Sequence, residues 1–212
     1  MKQVVLILLL TCITSSVAQE SKEMFSLTTV SDKQIDIKGT AKGMLVSPYE
    51  GKIVFLEFWG EKCGPCLLSI PHYVHLQDKY KDDLRVIALE VYGASNTHLK
   101  EYADNPSKNI NLEYISHFLK KKSKIKGAKA FLQPAIDELK KFKESGKKLN
   151  YDIVSRQEAE SFMKYVMKRA TWQGQIPFLL ILDKNGEVIK MLSGLVKEKE
   201  LEEIIQKEIT RK

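Results

Sequence analysis

The segment around residues 53–80 constrains the fold more than any other. Ile53-Val54-Phe55-Leu56-Glu57-Phe58-Trp59 is an almost unbroken apolar run, rich in β-branched and aromatic side chains, and it stops at Gly60. That is the pattern of a strand buried on both faces. Cys63-Gly64-Pro65-Cys66 follows at once, and from Cys66 to Tyr80 the residues Leu67, Ile70, Val74 and Leu76 recur at helical spacing. A second apolar strand pattern covers Leu84 to Val91. Strand, helix and strand in that order demand a parallel pair joined by a crossover, with both thiols at the strand-to-helix junction. Pro71 inside the helical pattern predicts a kink.

The flanking segments are shorter in range. Phe25 to Ile37 reads as a strand pair, and 95–127 is the least regular stretch, with a helical turn or two at Leu112 to Phe118. Ala128 to Lys143 has Phe131, Ile136, Leu139 and Phe142 on one helical face despite Pro134. Tyr151 to Val154 suggests a short strand and Gln157 to Arg169 a helix. Phe178 to Leu182 is a buried strand, Asp183-Lys184-Asn185-Gly186 a hairpin turn, Glu187 to Leu192 the return strand, and Leu195 to Ile209 a final helix. A chain of 212 residues fits one embellished domain.

Residues 1–18 have the form of an export signal: a basic start at Lys2, an apolar run from Val4 to Ile13, and small residues before a cut after Ala18. The run is short for an uncleaved membrane anchor, and Thr11 is a poor neighbour for lipid attachment at Cys12. Cleavage removes one of three cysteines and leaves Cys63 and Cys66. A bridge across two residues adds little stability, so the pair reads as chemical rather than structural. The formal net charge of +7 is concentrated: Lys120 to Lys148 holds eleven lysines against three acids. That is a local feature and argues for an acidic partner or an anionic lipid surface; without interleaved aromatics it does not argue for nucleic acid.

Three positions carry chemistry. A thiol at a helix N-terminus faces unpaired N–H groups and the positive end of the helix dipole, which favours the thiolate at Cys63, while Cys66 lies deeper and can resolve a mixed disulfide. Glu57 is a carboxylate in an apolar strand. It either reaches solvent at the strand end or is buried with a raised pKa, placed to exchange a proton with Cys66. Pro177 cannot donate to a ladder, and the Ile176–Pro177 bond is a candidate for the cis isomer as well as for an ordinary trans strand start.

Phe58-Trp59 through Cys66, Ile176-Pro177, and the stretch from Phe178 to Gly194 leading into a helix resemble thioredoxin, and Cys-Gly-Pro-Cys is its active-site tetrapeptide. The leader and the additions resemble the TlpA/ResA-like extracytoplasmic branch. The resemblance implies an α/β thioredoxin-like fold: a central mixed sheet flanked by helices, with a strand extension at 19–44, a main domain over 45–212 and a Lys-rich insertion at about 95–127. It implies Cys63 as nucleophile, Cys66 as resolving thiol and Glu57 as the buried acid. It further implies Pro177 as the cis-proline against the disulfide, Ile176 as a backbone partner for substrate, and Trp59 as a shield on one side; Gly64 and Pro65 join the substrate-binding surface. No cofactor beyond the Cys63–Cys66 disulfide and no metal is expected. Lys62, where thioredoxin commonly has Trp, adds a positive charge beside Cys63.

The activity implied is disulfide reduction in exported client proteins, with cytochrome c or copper-site maturation as settings. A membrane-embedded thiol reductant is the expected donor, and the Lys-rich insertion offers a membrane-surface contact. An oxidase or isomerase of the same fold and a Cu(I) carrier using the two thiolates are the rival readings. His72 and His75 follow Cys66 too closely for a zinc finger.

Overall fold

The structure is a computed structural model that describes residues 23–122 and 127–211. The expected export signal at 1–18 and the part of the lysine run at 123–126 lie outside the described residues.

The described residues form two sheets. β1 (Met24–Thr28), β2 (Gln34–Gly39) and β3 (Met44–Ser47) make an antiparallel meander. The second sheet contains β4 (Ile53–Trp59), β5 (Leu84–Glu90), β6 (Asp152–Val154), β7 (Phe178–Leu182) and β8 (Val188–Ser193) in the order β6-β5-β4-β7-β8. β4, β5 and β6 are parallel, while β7 and β8 run antiparallel to their neighbours, so the sheet is mixed. β4 is central, which is why all seven of its residues are buried and why its sequence lacks alternation.

The helices are α1 (Gly64–Lys79), α2 (Asn96–Asp104), the single turn α3 (Pro106–Asn109), α4 (Leu112–Lys122), α5 (Ala128–Ser145), α6 (Arg156–Arg169) and α7 (Glu198–Thr210). Alternation along β4 divides the core. Val54, Leu56 and Phe58 pack with Leu27, Ile35, Ile37 and Val46 of the meander and with Phe162 of α6. Ile53 and Phe55 face the other way, toward Tyr73 and Leu76 of α1 and Leu201 and Ile205 of α7. Gln77, buried on α1, holds that helix to β5: its side chain donates to the Leu84 carbonyl (3.0 Å) and accepts from the Val86 N–H (2.9 Å).

Two details, in α5 and at β3, differ from the sequence reading. α1 runs from residue 64 to 79 with Pro71 inside it. The ring removes one donor and leaves the Leu67 carbonyl without its usual partner, and the packing of both flanking turns holds the helix together. In α5, Phe131 is 45% exposed and Leu132 takes the buried place, because the helix presents the stripe 132–135–136–139 to α1. β3 is a third strand of the N-terminal sheet; at four residues its alternation is too brief to stand out from a loop.

Candidate functional site

The site is assembled at the C-terminal end of β4, where the chain turns into α1. Cys63 is the N-cap of α1, with extended backbone (φ −116°, ψ 105°), and its sulfur accepts from the Cys66 N–H at 3.3 Å. The helix therefore directs one of its unsatisfied first-turn donors at the Cys63 sulfur. Pro65 in the first turn costs the helix nothing there, since its missing N–H would have had no intrahelical partner. The two sulfurs are joined as a disulfide, with Cys63 7% and Cys66 1% exposed. Cys63 is thus the less buried of the two sulfurs.

Glu57 lies on the α1 face of β4, in alternation with Ile53, Phe55 and Trp59. It is 2% exposed, and among the described residues its Oε1 has no hydrogen-bond partner. Burial pushes its pKa well above the usual carboxylate value. The strand-end alternative, an acid reaching water, is excluded by this burial. Tyr73 and Tyr151 stand near enough that a charge on Glu57 would raise their phenol pKa values, adding to the effect of their own burial.

The Ile176–Pro177 bond is cis. Pro177 leads directly into β7, whose Phe178 pairs with Phe58, and its carbonyl accepts from the Gly194 N–H at 2.8 Å. Ile176 is half-buried beside the cluster that contains both cysteines, and its Cδ1 approaches Gly60. Among the described residues no hydrogen bond engages the Ile176 N–H or carbonyl.

The loop before Pro177 is anchored by Trp172, which the sequence reading did not single out. Its ring packs on Phe58 (4.3 Å between centroids) and Phe178 (6.1 Å), and its Nε1–H donates to the Gln175 carbonyl at 2.7 Å. A lone Trp in a polar loop was the available signal. Glu90 was also missed. It is fully buried at the end of β5, and its carboxylate accepts from the N–H groups of Tyr92, Gly93 and Ala94 at 2.7, 2.8 and 3.0 Å. That cap fixes the 91–94 loop, whose Tyr92 ring lies against Gly60.

Trp59 lies in the same buried cluster as Cys63 and Cys66. It is buried and packs on Tyr102 of α2, with ring centroids 5.5 Å apart. His72 and His75 point to different neighbours: His72 Nε2 meets Glu138 of α5 at 2.9 Å, and His75 Nδ1 meets Glu198 of α7 at 2.6 Å. Lys62 is exposed beside Cys63.

A Cys-Gly-Pro-Cys pair at the junction of a central parallel strand and its helix, together with a cis Ile176–Pro177 bond that opens an antiparallel strand, matches the thioredoxin pattern. The chain has a thioredoxin-like fold. The thioredoxin-like fold is matched by the thiol:disulfide interchange protein DsbE of Chlorobium tepidum, with a TM-score of 0.51 at 18% identity over 90% of this chain and 96% of that one. In sequence the chain is similar to the thiol-disulfide oxidoreductase ResA of Bacillus thuringiensis, 36% identical over 67 residues, and to ResA of Geobacillus kaustophilus, 23% identical over 168 residues. The first of these matches covers 31% of this chain and 34% of the relative; the second covers 79% and 68%. The chain thus spans about a third of the length of the curated relatives it matches at 36% identity. No protein-family model matches it. In this chain α5, β6 and α6 form a helix–strand–helix that adds the edge strand next to β5, and α2 to α4 lie between β5 and that unit. Among the described residues no helix is long and apolar enough to cross a membrane.

Proposed function

We propose that this protein is an extracytoplasmic thiol–disulfide oxidoreductase that reduces disulfides in exported client proteins. The observation that carries the reading is Cys63 at the N-cap of α1 with the buried Cys66 one turn behind it and Glu57 on the strand face beneath that helix.

The cycle follows from thiol chemistry. In the dithiol form the Cys63 thiolate attacks one sulfur of a client disulfide. A Cys63–client disulfide forms and one client thiolate leaves. Cys66 then gives its proton to the Glu57 carboxylate and attacks Cys63 Sγ, and the second client thiolate departs. Two electrons have passed to the client, whose thiolates take protons from water, and the pair is left as the Cys63–Cys66 disulfide. Glu57 suits this step because burial makes its carboxylate a stronger base than an exposed one. A client segment lying along Ile176 finds an unengaged N–H and carbonyl.

The direction of electron flow rests on the Gly64-Pro65 dipeptide, since thioredoxin with that pair is strongly reducing at about −270 mV. A reductant in an oxidising compartment needs recharging by a second dithiol, and a membrane-embedded thiol reductant meets that need. The export pattern of residues 1–18 supports the location.

The test is the reduction potential of the Cys63–Cys66 pair, read by thiol trapping in defined thiol buffers. A value at or below about −250 mV supports the reductant, and one above about −180 mV reverses the assigned direction. Cys63→Ser is expected to abolish disulfide reduction, and retained turnover would remove the assignment altogether.

A further inference from the structure

Residues 96–122 supply no strand to either sheet, yet they meet the active-site loop at four points. Tyr102 of α2 covers Trp59, with ring centroids 5.5 Å apart. His98 of α2 meets the Glu61 carboxylate through its Nε2, at 2.5 Å. The Tyr114 hydroxyl of α4 donates to the Lys62 carbonyl at 2.6 Å. The Phe118 ring of α4 lies on Gly64, so close that a β-carbon placed there would come within 2.8 Å of the ring. The loop therefore has a wall of inserted helix along most of its length. On the far side stand Ile176 and the exposed Tyr92, which leans on Gly60.

We infer that α2 and α4 form a collar that selects the client: an extended or flexible segment carrying its cysteine reaches Cys63, and a disulfide fixed on a broad folded surface does not. The inference rests on the oxidoreductase reading for its function, though the collar is a matter of access alone. Exchange requires the attacking sulfur to approach the target sulfur directly, so its rate depends on access. A single extended strand needs a corridor only about 5 Å wide in the plane of a sheet. A folded surface must clear Phe118 and Tyr114 together before its sulfur comes into range. The same contacts explain why Gly occupies position 64: any side chain there would drive Phe118 off the loop. Tyr114 and Phe118 are thus specificity residues, with no part in the electron transfer.

The test separates access from chemistry. The full chain, its Phe118→Ala variant and its Tyr114→Phe variant are reduced, and Cys63 is alkylated in parallel with iodoacetamide and with a maleimide carrying a long polyethylene glycol chain. The same three proteins are assayed for reduction of hydroxyethyl disulfide and of folded insulin. In Phe118→Ala the ratio of bulky to small alkylation rates, and the ratio of insulin to hydroxyethyl disulfide reduction, are each expected to rise at least about fivefold. Tyr114→Phe, which deletes one hydroxyl and keeps the ring, is expected to move both ratios in the same direction by about twofold, and it decides the matter should Phe118→Ala fail to fold. Unchanged or falling ratios in a folded variant would overturn the collar. Absence of hydroxyethyl disulfide turnover in the parent chain would instead overturn the oxidoreductase reading, and the alkylation ratio would still decide the collar.

Discussion

Replacing Glu57 by Leu should make the protein more stable and a worse catalyst. Glu57 is buried on the central strand, and its Oε1 lacks a partner among the described residues. An unsatisfied buried polar atom costs about 1–3 kcal/mol even without charge. Leu fills a similar volume and removes that cost. Charge adds a second contribution with a definite sign. In the unfolded chain the carboxyl ionises near its ordinary value of 4.5, while burial keeps it protonated in the folded chain to a higher pH. Between those two points the native state holds the extra proton, so stability falls as pH rises, by about 1.4 kcal/mol per pH unit. Above the folded-state pKa the loss is complete and constant. The variant has no such slope. Urea unfolding of both oxidised proteins at pH 4, 6 and 8 should therefore give an advantage to Glu57→Leu that is smallest at pH 4 and grows toward pH 8. Disulfide reduction at pH 7 should fall by about a hundredfold, because the proton acceptor for Cys66 is gone. A variant less stable than the parent at pH 8, or an advantage independent of pH, would refute the reasoning.

Trp172→Ala should cost about 3–5 kcal/mol in chemical denaturation, since it empties the space against Phe58 and Phe178. It should also raise KM for a disulfide-bonded client peptide more than it lowers kcat, as the strap before Pro177 loses its anchor. In Glu90→Gln an amide nitrogen can face N–H donors that a carboxylate oxygen now accepts, for a loss of about 3 kcal/mol. Amide exchange at Tyr92, Gly93 and Ala94 should accelerate ahead of the rest of the chain; protection equal to the parent's would show that the cap is not what orders this loop. Cys66→Ser should accumulate a client disulfide on Cys63 visible by intact-mass spectrometry, and a product lacking that adduct would reverse the roles of the two thiols.

What could be read in the sequence was local and strongly patterned. The β4 run, the cysteine pair and the β7–β8 hairpin each occupy a few consecutive residues whose physics is self-contained: burial on both faces, a helix start, a turn closed by Gly186 at positive φ. Glu57 was conspicuous because a carboxylate inside an apolar strand demands a reason. The residues that escaped owe their roles to distant partners. Trp172 matters through Phe58 and Phe178, and Phe118 through Gly64, across separations that no spacing rule spans. Trp59 shows the same limit: its packing on Tyr102 depends on a helix distant in the chain. Phe131 and Leu132 are adjacent on α5, and which of them faces inward depends on the angle at which α5 meets α1, a tertiary property.

The N-terminal meander is joined to the far end of the chain. The Met44 N–H donates to the Gly186 carbonyl at 2.8 Å, Gly43 bridges to Glu187, Lys42 pairs with Glu187 at 3.1 Å, and Leu27, Ile35 and Ile37 share their cluster with Phe162 and Leu180. The earliest strands made can pack on β4 and β5, but they lack the rest of their cover until residues from about 156 to 188 arrive. The dithiol gains its cover earlier, from α1, α2, α4 and α5, while the meander waits for α6 and β7. Folding order, then, sets the interval in which the two cysteines are open to any passing oxidant.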